Sequence, residues 1–306
     1  MKFSIFQSSR QGGRKYNQDR LAYSYSRDAL LMVVADGMGG HFHGEIASQI
    51  AVQFLVESFQ KQAKPALKDP VRFLINTINH AHEAIGDYVL AHGLSEPPRT
   101  TCVACVVQGE HAYWAHVGDT RLYYFHDGKL ASRTRDHSLV QQLFEQGKIT
   151  EAQMTTHPER NKVYSCLGGT IPPDIELSRR TLLHEGDTLL LCSDGLWGLL
   201  SIEEIASILD AYPVATAVPE LLDHAELRGG EEGDNLSAIG MRWGDESRLR
   251  DSRSVSSATM PLDSYTVQLN TFSVERGTAE GDLDVTEADI EKAIAEIHAA
   301  IRKYSK

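Results

Sequence analysis

Five short apolar runs constrain the fold of this chain more than any other feature. They are rich in Val, Ile, Leu and aromatic residues, are bounded by Gly or Asp, and cover residues 30–36, 101–107, 112–125, 187–194 and 236–243. Runs of this length and composition are typical of buried β-strands. Turn sequences at 109–112 and 126–129 predict an antiparallel meander from 101 to 132.

Two longer segments predict helices, at 44–61 and 69–93. Asp69 and Pro70 are typical of a helix start, and Gly93 is typical of a helix end. Shorter helices are predicted at 137–147, 202–210 and 217–228. The strands do not alternate regularly with helices, which favours an α+β layered domain over a parallel nucleotide-binding fold.

The chain divides into three parts. We predict one domain over residues 1–244, a polar, Ser-rich linker over 245–285 and an amphipathic helix over 286–306. In that helix, Ile290, Ile294, Ile297, Ile301 and Tyr304 are spaced alternately by four and three, as in a short coiled-coil seam. The helix either docks on its own domain or associates with a second copy or a partner.

Composition excludes several classes of protein. A formal net charge of −12 argues against general nucleic-acid binding, which rewards Lys and Arg. Cys102 and Cys105 form a C-x-x-C, but residues three apart on a strand point to opposite faces and no second pair completes a zinc site. Free thiols, no signal-peptide pattern and no apolar run of membrane-spanning length predict a cytoplasmic protein without a membrane partner.

Four aspartates lie where apolar runs begin or end, next to glycine: Asp36, Asp119, Asp194 and Asp234. Each Asp-Gly alone is an ordinary turn signal. If the strands are neighbours, however, the carboxylates converge and repel one another unless cations lie between them. Because carboxylates are the ligands, the pattern favours Mg²⁺ or Mn²⁺ over structural zinc.

A phosphate-binding cation is predicted nearby. Arg14 lies five residues before Asp19, and a guanidinium can grip two phosphoryl oxygens at once. Two metal ions can activate a water for in-line attack at phosphorus. Arginine beside clustered carboxylates therefore indicates phosphate hydrolysis.

The motifs and their order resemble the metal-dependent PPM (type 2C) Ser/Thr protein phosphatases, the bacterial branch most closely, over about residues 5–243. The resemblance rests on RKYNQD (14–19), VVADGMGGHFHGEIAS (33–48), Thr100–Thr101, VGDTRLYYFHDGKL (117–130), TRDHSLVQQLFEQGKIT (134–150), LLLCSDGLWGLLS (189–201) and GDNLSAIGM (233–241). It implies a four-layer α-β-β-α sandwich of two antiparallel sheets flanked by helices, with metals in a cleft at one end.

The resemblance also implies roles for the metal ligands. Asp36 is expected to bridge two core Mn²⁺ or Mg²⁺ ions and the backbone carbonyl of Gly37 to bind one of them. Asp194 and Asp234 complete the other site, and Asp19 acts mainly through a water molecule.

Two further residues and a mobile segment belong to the implied site. Arg14 is expected to bind the substrate phosphate, and Asp119, with Asp194, to hold a third, weaker metal. Residues 136–167 match a flap beside the cleft that influences substrate choice.

Several positions depart from the family pattern. Gln18 stands where many relatives have glutamate, Arg99 where glycine is common, and Gly198 where some relatives have a third-metal aspartate. Met38 replaces the histidine that eukaryotic members use as a proposed general acid, so the leaving group is expected to gain its proton from metal-bound water instead. One hypothesis is that His41 donates it; His41 and His43 as solvent-facing loop residues, or as a zinc pair, are the alternatives.

The implied function is hydrolysis of phosphoserine and phosphothreonine in phosphorylated proteins, reversing a bacterial Ser/Thr kinase. Two alternatives remain open from the sequence. One is a non-catalytic phosphoprotein-binding module, against which the intact aspartates argue, and the other is a phosphatase of a small phosphorylated metabolite.

Overall fold

The fold consists of two antiparallel sheets packed face to face. The computed structural model describes residues 1–38, 44–154, 156–244, 255–258, 260–262, 264 and 266–269. The predicted C-terminal helix at 286–306 and the histidines His41 and His43 lie outside these residues.

The described residues contain fourteen strands and seven α-helices. The strands are β1 Lys2–Arg10, β2 Asp19–Tyr25, β3 Ala29–Met38, β4 Arg99–Thr100, β5 Cys102–Gln108, β6 His111–Val117, β7 Arg121–His126, β8 Lys129–Arg133, β9 Glu176–Leu177, β10 Thr181–Leu182, β11 Thr188–Cys192, β12 Leu236–Trp243, β13 Val255–Ser256 and β14 Thr266–Leu269. The helices are α1 Gly44–Gln62, α2 Pro70–His92, α3 Leu139–Glu145, α4 Glu151–Met154, α5 Asp194–Trp197, α6 Ile202–Ala211 and α7 Val214–Gly229.

The strand order differs from the order along the chain in both sheets. The first sheet runs β13-β1-β12-β11-β7-β8 and the second runs β10-β6-β5-β3-β2-β14, with β4 paired to β3 and β9 paired to β6. The strand pairings among the described residues are antiparallel. Strands distant in sequence thereby become neighbours and bring their end residues together.

Three apolar layers hold the sandwich together. The central layer lies between the sheets and includes Phe3, Met32 and Leu191. The outer layers lie beneath α1 and α2 on the second sheet and beneath α5, α6 and α7 on the first. Because burial of apolar surface is the main favourable term in folding, the α-β-β-α layering follows from strands that are apolar on both faces.

The two long predicted helices are confirmed with their ends. Asp69 caps α2, since its Oδ1 accepts the N–H groups of Val71 and Arg72 at 3.1 and 3.0 Å. Gly93 ends the helix in the left-handed conformation, with φ of 61°. The opposite orientation of the two cysteines is also confirmed: Cys102 lies in the layer beneath α1 and α2, and Cys105 lies between the sheets.

The single meander predicted from 101 to 132 is wrong. β5 and β6 form a hairpin in the second sheet, whereas β7 and β8 form one in the first. The chain crosses between sheets at Gly118, whose φ of 100° only glycine adopts readily. A Cβ on Gly118 would lie 2.5 Å from Cγ2 of Thr101, so the crossing also needs the space that glycine leaves.

Two short strands lie inside the stretch predicted as a linker. β13 pairs with β1, and β14 pairs with β2. Side-chain contacts support the second pairing, because Tyr23 Oη donates to Oε1 of Gln268 at 2.7 Å. Part of the predicted linker therefore extends one edge of each sheet. Among the helices that the structure describes, none is long and apolar enough to cross a membrane.

Candidate metal centre

The predicted aspartates come from strand ends of both sheets. Asp19 begins β2 and lies directly opposite Asp36 of β3 in the ladder register. Asp194 follows β11 as the first residue of α5, and Asp234 precedes β12, the strand that pairs with β11. Asp119 lies in the crossing between β6 and β7.

Contacts between the sheets show that these ends meet. The hydroxyl of Ser193, which follows β11 in the first sheet, donates to Oδ2 of Asp19 in the second sheet at 2.7 Å. Asp36 and Asp194 lie close enough that the charge of Asp194 raises the pKa of Asp36. The loop before β12 packs directly against the start of α5, because a Cβ on Gly195 would lie only 2.1 Å from the carbonyl oxygen of Asn235.

The electrostatics of the cluster are those of crowded, buried acids. Burial raises the pKa of Asp36 well above its ordinary value, and the neighbouring carboxylates, Asp19 first, raise it further. Burial likewise raises the pKa of Asp19 to about 7, with smaller contributions from Asp194 and Asp234. The pKa of Asp194 rises to about 6 through burial and the charge of Asp234.

The donor set fits hard divalent cations. Oδ1 of Asp19 is buried and has no hydrogen-bond partner among the described residues. An unpaired buried carboxylate oxygen is unfavourable, and a cation would satisfy it while relieving repulsion among the neighbouring acids. Carboxylates with backbone oxygens are the ligands that Mg²⁺ and Mn²⁺ prefer.

Arg14 lies at the mouth of the cluster with about half of its side chain exposed. Its Nε and Nη2 donate to the two carboxylate oxygens of Asp234 at 2.8 and 2.6 Å. This two-pronged contact shows the guanidinium aimed at the acidic cluster. A phosphoryl group presents the same pair of oxygens.

Comparison with known proteins decides the family. The profile described as Protein phosphatase 2C matches residues 7–227.

The chain belongs to the protein phosphatase 2C family.

Its relatives agree with this assignment. A putative protein phosphatase 2C-type of Streptococcus pyogenes is 34% identical over 231 residues, which are 74% of this chain and 92% of the relative. The structure of a Streptococcus agalactiae serine/threonine phosphatase superposes with a TM-score of 0.72 at 30% identity, covering 78% of this chain and 99% of that one. The catalytic domain of the phosphatase PstP, solved with two manganese ions, has a TM-score of 0.68 at 30% identity and covers 79% of this chain and 98% of that domain.

The predictions of the family, the α+β sandwich, the protein-phosphatase activity and the use of divalent metal are confirmed. The individual ligand roles stay predictions, although the structure brings Asp19, Asp36, Asp194 and Asp234 together. The chain around Gly37 has no room for a side chain, since a Cβ there would lie 2.2 Å from the carbonyl oxygen of Gly44.

Asp119 also lies where the sequence places it. Its side chain is 5% exposed, and burial together with the charge of Asp194 raises its pKa well above the ordinary value. Its backbone oxygen accepts the indole N–H of Trp197 at 3.0 Å. This residue is thus fixed to the helix that Asp194 begins.

Sequence reasoning missed the residues that orient the ligands. Besides Ser193, Asn235 is one: its Oδ1 accepts the N–H of Gln18 at 2.9 Å, and its Nδ2 donates to the carbonyl oxygens of Gln11 and Tyr16 at 2.7 and 3.0 Å. These bonds hold the loop that carries Arg14. Both residues lie within the SDG and GDN motifs, so their position beside an aspartate was the available signal.

The base of the predicted flap is tied to the core by a buried ion pair. Nε and Nη2 of Arg121 donate to the two oxygens of Asp136 at 2.8 and 2.6 Å, and the two side chains are 9% and 2% exposed. The guanidinium also lies 3.5 Å from the centre of the Trp197 ring. One stack of side chains therefore links Asp119 to the first residue of the flap.

A second group of possible metal ligands lies beside this stack. The ligand atoms of His116, His137 and Glu176 lie within 4.8 Å of one another. However, Nδ1 of His137 accepts the N–H of Gly118 at 3.2 Å, so its single ring proton resides on Nε2, which faces Glu176 at 3.7 Å. Burial lowers the pKa of both histidines. As placed, the group joins the flap to the Gly118 crossing by hydrogen bonding, because the backbone N–H of His137 also donates to the carbonyl oxygen of Gly118 at 2.9 Å.

Proposed function

We propose that this phosphatase hydrolyses phosphoserine and phosphothreonine in proteins, with the aspartate cluster holding two divalent ions. The observation that carries the proposal is the convergence of the carboxyls of Asp19, Asp36 and Asp194 from two sheets, with one oxygen of Asp19 buried and unpaired. The serine/threonine specificity named for the S. agalactiae and PstP relatives supports the substrate class.

The ligands divide between the two sheets. Asp36, at the centre of the cluster, would hold both ions, with the Gly37 carbonyl beside it. Asp194 and Asp234 would hold one ion from the first sheet, and Asp119 with Asp194 would hold a weaker third ion. Asp19 is already bonded to Ser193 and would act through water.

Bound divalent ions would supply the charge that activates a water molecule and stabilises the oxygens around phosphorus. The chain's own residues do the positioning. Arg14 would hold two phosphoryl oxygens with the same nitrogens that contact Asp234. Asn235 keeps the Arg14 loop in place through three hydrogen bonds. An oriented phosphoryl group reacts faster because less entropy is lost on the way to the transition state.

The substrate in the cell is a phosphorylated protein, and we propose that one such protein is a Ser/Thr kinase. The family resemblance supports this pairing. The C-terminal helix at 286–306 is proposed to mediate self-association or partner association, and a cytoplasmic location stays a prediction.

The test is hydrolysis of p-nitrophenyl phosphate and of a phosphothreonine peptide with Mn²⁺, Mg²⁺ or EDTA. Asp194→Ala is expected to lose at least about 100-fold in turnover, since losing one ligand disrupts both metal binding and charge stabilisation. Asp210→Ala, an exposed acid at the end of α6, is the matched control and should retain full activity. Equal turnover in EDTA and Mn²⁺ would contradict the metal mechanism.

A further inference from the structure

A polar cavity of about 320 Å³ lies beside the base of the flap. We call it the flap-base cavity. It opens where edge strand β8 of the first sheet faces β9 and β10 at the edge of the second. Its polar lining includes Ser132, Arg133, Thr134, Glu176, Ser178 and Arg179. Its size falls near the lower end of the range for ligand sites, roughly 300–1,000 Å³.

The cavity carries cationic groups that the described residues do not neutralise. Arg133 and Arg179 form no ion pair and no side-chain hydrogen bond with any residue that the structure describes. The one carboxylate in the lining, that of Glu176, lies 3.7 Å from Nε2 of His137. The lining therefore contains two arginines and one carboxylate, which leaves a net positive charge.

Hydroxyl groups add neutral donors. Oγ of Ser178 accepts the backbone N–H of Trp114 at 2.8 Å, which leaves its own O–H available to donate. Ser132, on β8, contributes a second, exposed hydroxyl. Guanidinium groups flanked by hydroxyl donors are the chemistry that recognises phosphoryl and carboxylate groups.

The cavity lies close to the proposed metal centre. His116 lines it and precedes Asp119 by three residues, so the Cα atoms of these two residues lie within about 11 Å of each other. Thr134 lines it two residues before Asp136, where the flap begins. A substrate chain with its phosphoresidue at the metal centre would reach the cavity with a residue about three to five positions away.

We propose that the flap-base cavity is a second oxyanion subsite, which binds a phosphoryl or carboxylate group carried by the substrate near the residue being dephosphorylated. The inference rests on the proposed function and adds a substrate preference to it. The phosphatase would act faster on phosphoproteins with acidic or further phosphorylated residues flanking the site of hydrolysis.

The experiment compares three phosphothreonine peptides that carry Gln, Glu or a non-hydrolysable phosphonate residue at the flanking positions three to five residues away. Wild type, the double variant Arg133→Gln/Arg179→Gln and the control Arg180→Gln are assayed with Mn²⁺. Arg180 neighbours Arg179 but contacts His111 instead of lining the cavity. Hydrolysis of p-nitrophenyl phosphate, which is too short to occupy the metal centre and the cavity at once, reports the basal activity.

Wild type and the control should show kcat/KM at least about fivefold higher for the Glu or phosphonate peptide than for the Gln peptide, carried mainly by KM. The double variant should lose this ratio and retain the basal activity. Preference for both anionic peptides would define a general oxyanion site, and preference for the phosphonate alone a phosphoryl site. No preference in wild type, an undiminished preference in the double variant, or an equal loss in Arg180→Gln would overturn the inference.

Failure of the proposed function has a different signature, namely absence of Mn²⁺-dependent turnover of p-nitrophenyl phosphate in wild type. The subsite is then tested by fluorescence anisotropy of the same labelled peptides. Tighter binding of the anionic peptides that requires Arg133 and Arg179 would still support it, and equal binding of the three would overturn it.

Discussion

Replacing Arg121 with Met is expected to lower the free energy of unfolding by about 3–5 kcal/mol, the range for removing one partner of a buried ion pair. Both oxygens of Asp136 accept hydrogen bonds from Arg121, and the carboxylate is 2% exposed. Without the guanidinium, the described structure offers this carboxylate no other side-chain donor, so a charge would be buried without compensation.

Removing the other partner, in Asp136→Leu, is expected to lower the free energy of unfolding by less than Arg121→Met does. In Asp136→Leu, Arg121 retains its contact with Tyr123 Oη at 2.9 Å and with the face of Trp197. The double variant Arg121→Met/Asp136→Leu should lie within about 2 kcal/mol of wild type, because well-packed apolar pairs often replace buried ion pairs without loss. The coupling energy of the cycle is therefore expected to exceed about 1 kcal/mol.

Urea unfolding in EDTA, followed by circular dichroism, measures the four free energies without a contribution from metal binding. Activity on the phosphothreonine peptide, measured separately with Mn²⁺, tests whether the stack also positions the flap. We expect the double variant to recover stability but not peptide activity, since Asp136 then no longer ties the flap to Trp197 and Asp119. Additive free energies, or a loss under about 1 kcal/mol in Arg121→Met, would refute the reasoning.

Three further predictions follow from the site. The pKa values of Asp19 and Asp194 are raised to about 7 and about 6, so protonation of these carboxyls stabilises the metal-free protein at acidic pH, and that stability is lost as pH rises through 6 and 7. The melting temperature in EDTA should therefore fall from pH 5 to pH 8, while the increase in melting temperature caused by Mn²⁺ should grow. An increase caused by Mn²⁺ that does not depend on pH would contradict this. Gly118→Ala should destabilise the protein by at least about 2 kcal/mol more than Gly109→Ala, because both glycines have positive φ but, of the two, Gly118 alone lacks space for a Cβ. Equal urea midpoints for the two variants would show that the clash with Thr101 is relieved. Asn235→Ala should raise KM for p-nitrophenyl phosphate and lower stability by about 2–4 kcal/mol, since three hydrogen bonds to the Arg14 loop are lost, whereas an unchanged KM would mean that the loop holds Arg14 without Asn235.

Much of the fold was predictable because the strands and long helices carry strong local signals. Asp69, Pro70 and Gly93 set the ends of α2 through capping chemistry that acts within a few residues. The prediction of a single meander was wrong because it depended on a contact between residues distant in the sequence. Whether the chain stays in one sheet or crosses to another at Gly118 depends on contact with Thr101, a residue seventeen positions earlier that no local pattern reveals.

The same distinction separates the ligands from the residues that position them. An aspartate at the end of a buried strand has few roles open to it, so Asp36 and Asp194 stand out in the sequence. Asn235 and Arg121 are polar residues whose importance arises only from partners elsewhere in the fold, namely the Arg14 loop and Asp136. The flap-base cavity depends even more on the fold, because Arg133 lies on a strand of the first sheet and Arg179 lies in the connection between β9 and β10 of the second. The metal-binding residues can therefore be predicted from the sequence, because an aspartate at the end of a buried strand is a recognisable pattern. The selectivity of the reaction cannot, because it depends on contacts between distant residues that form only when the two sheets pack together.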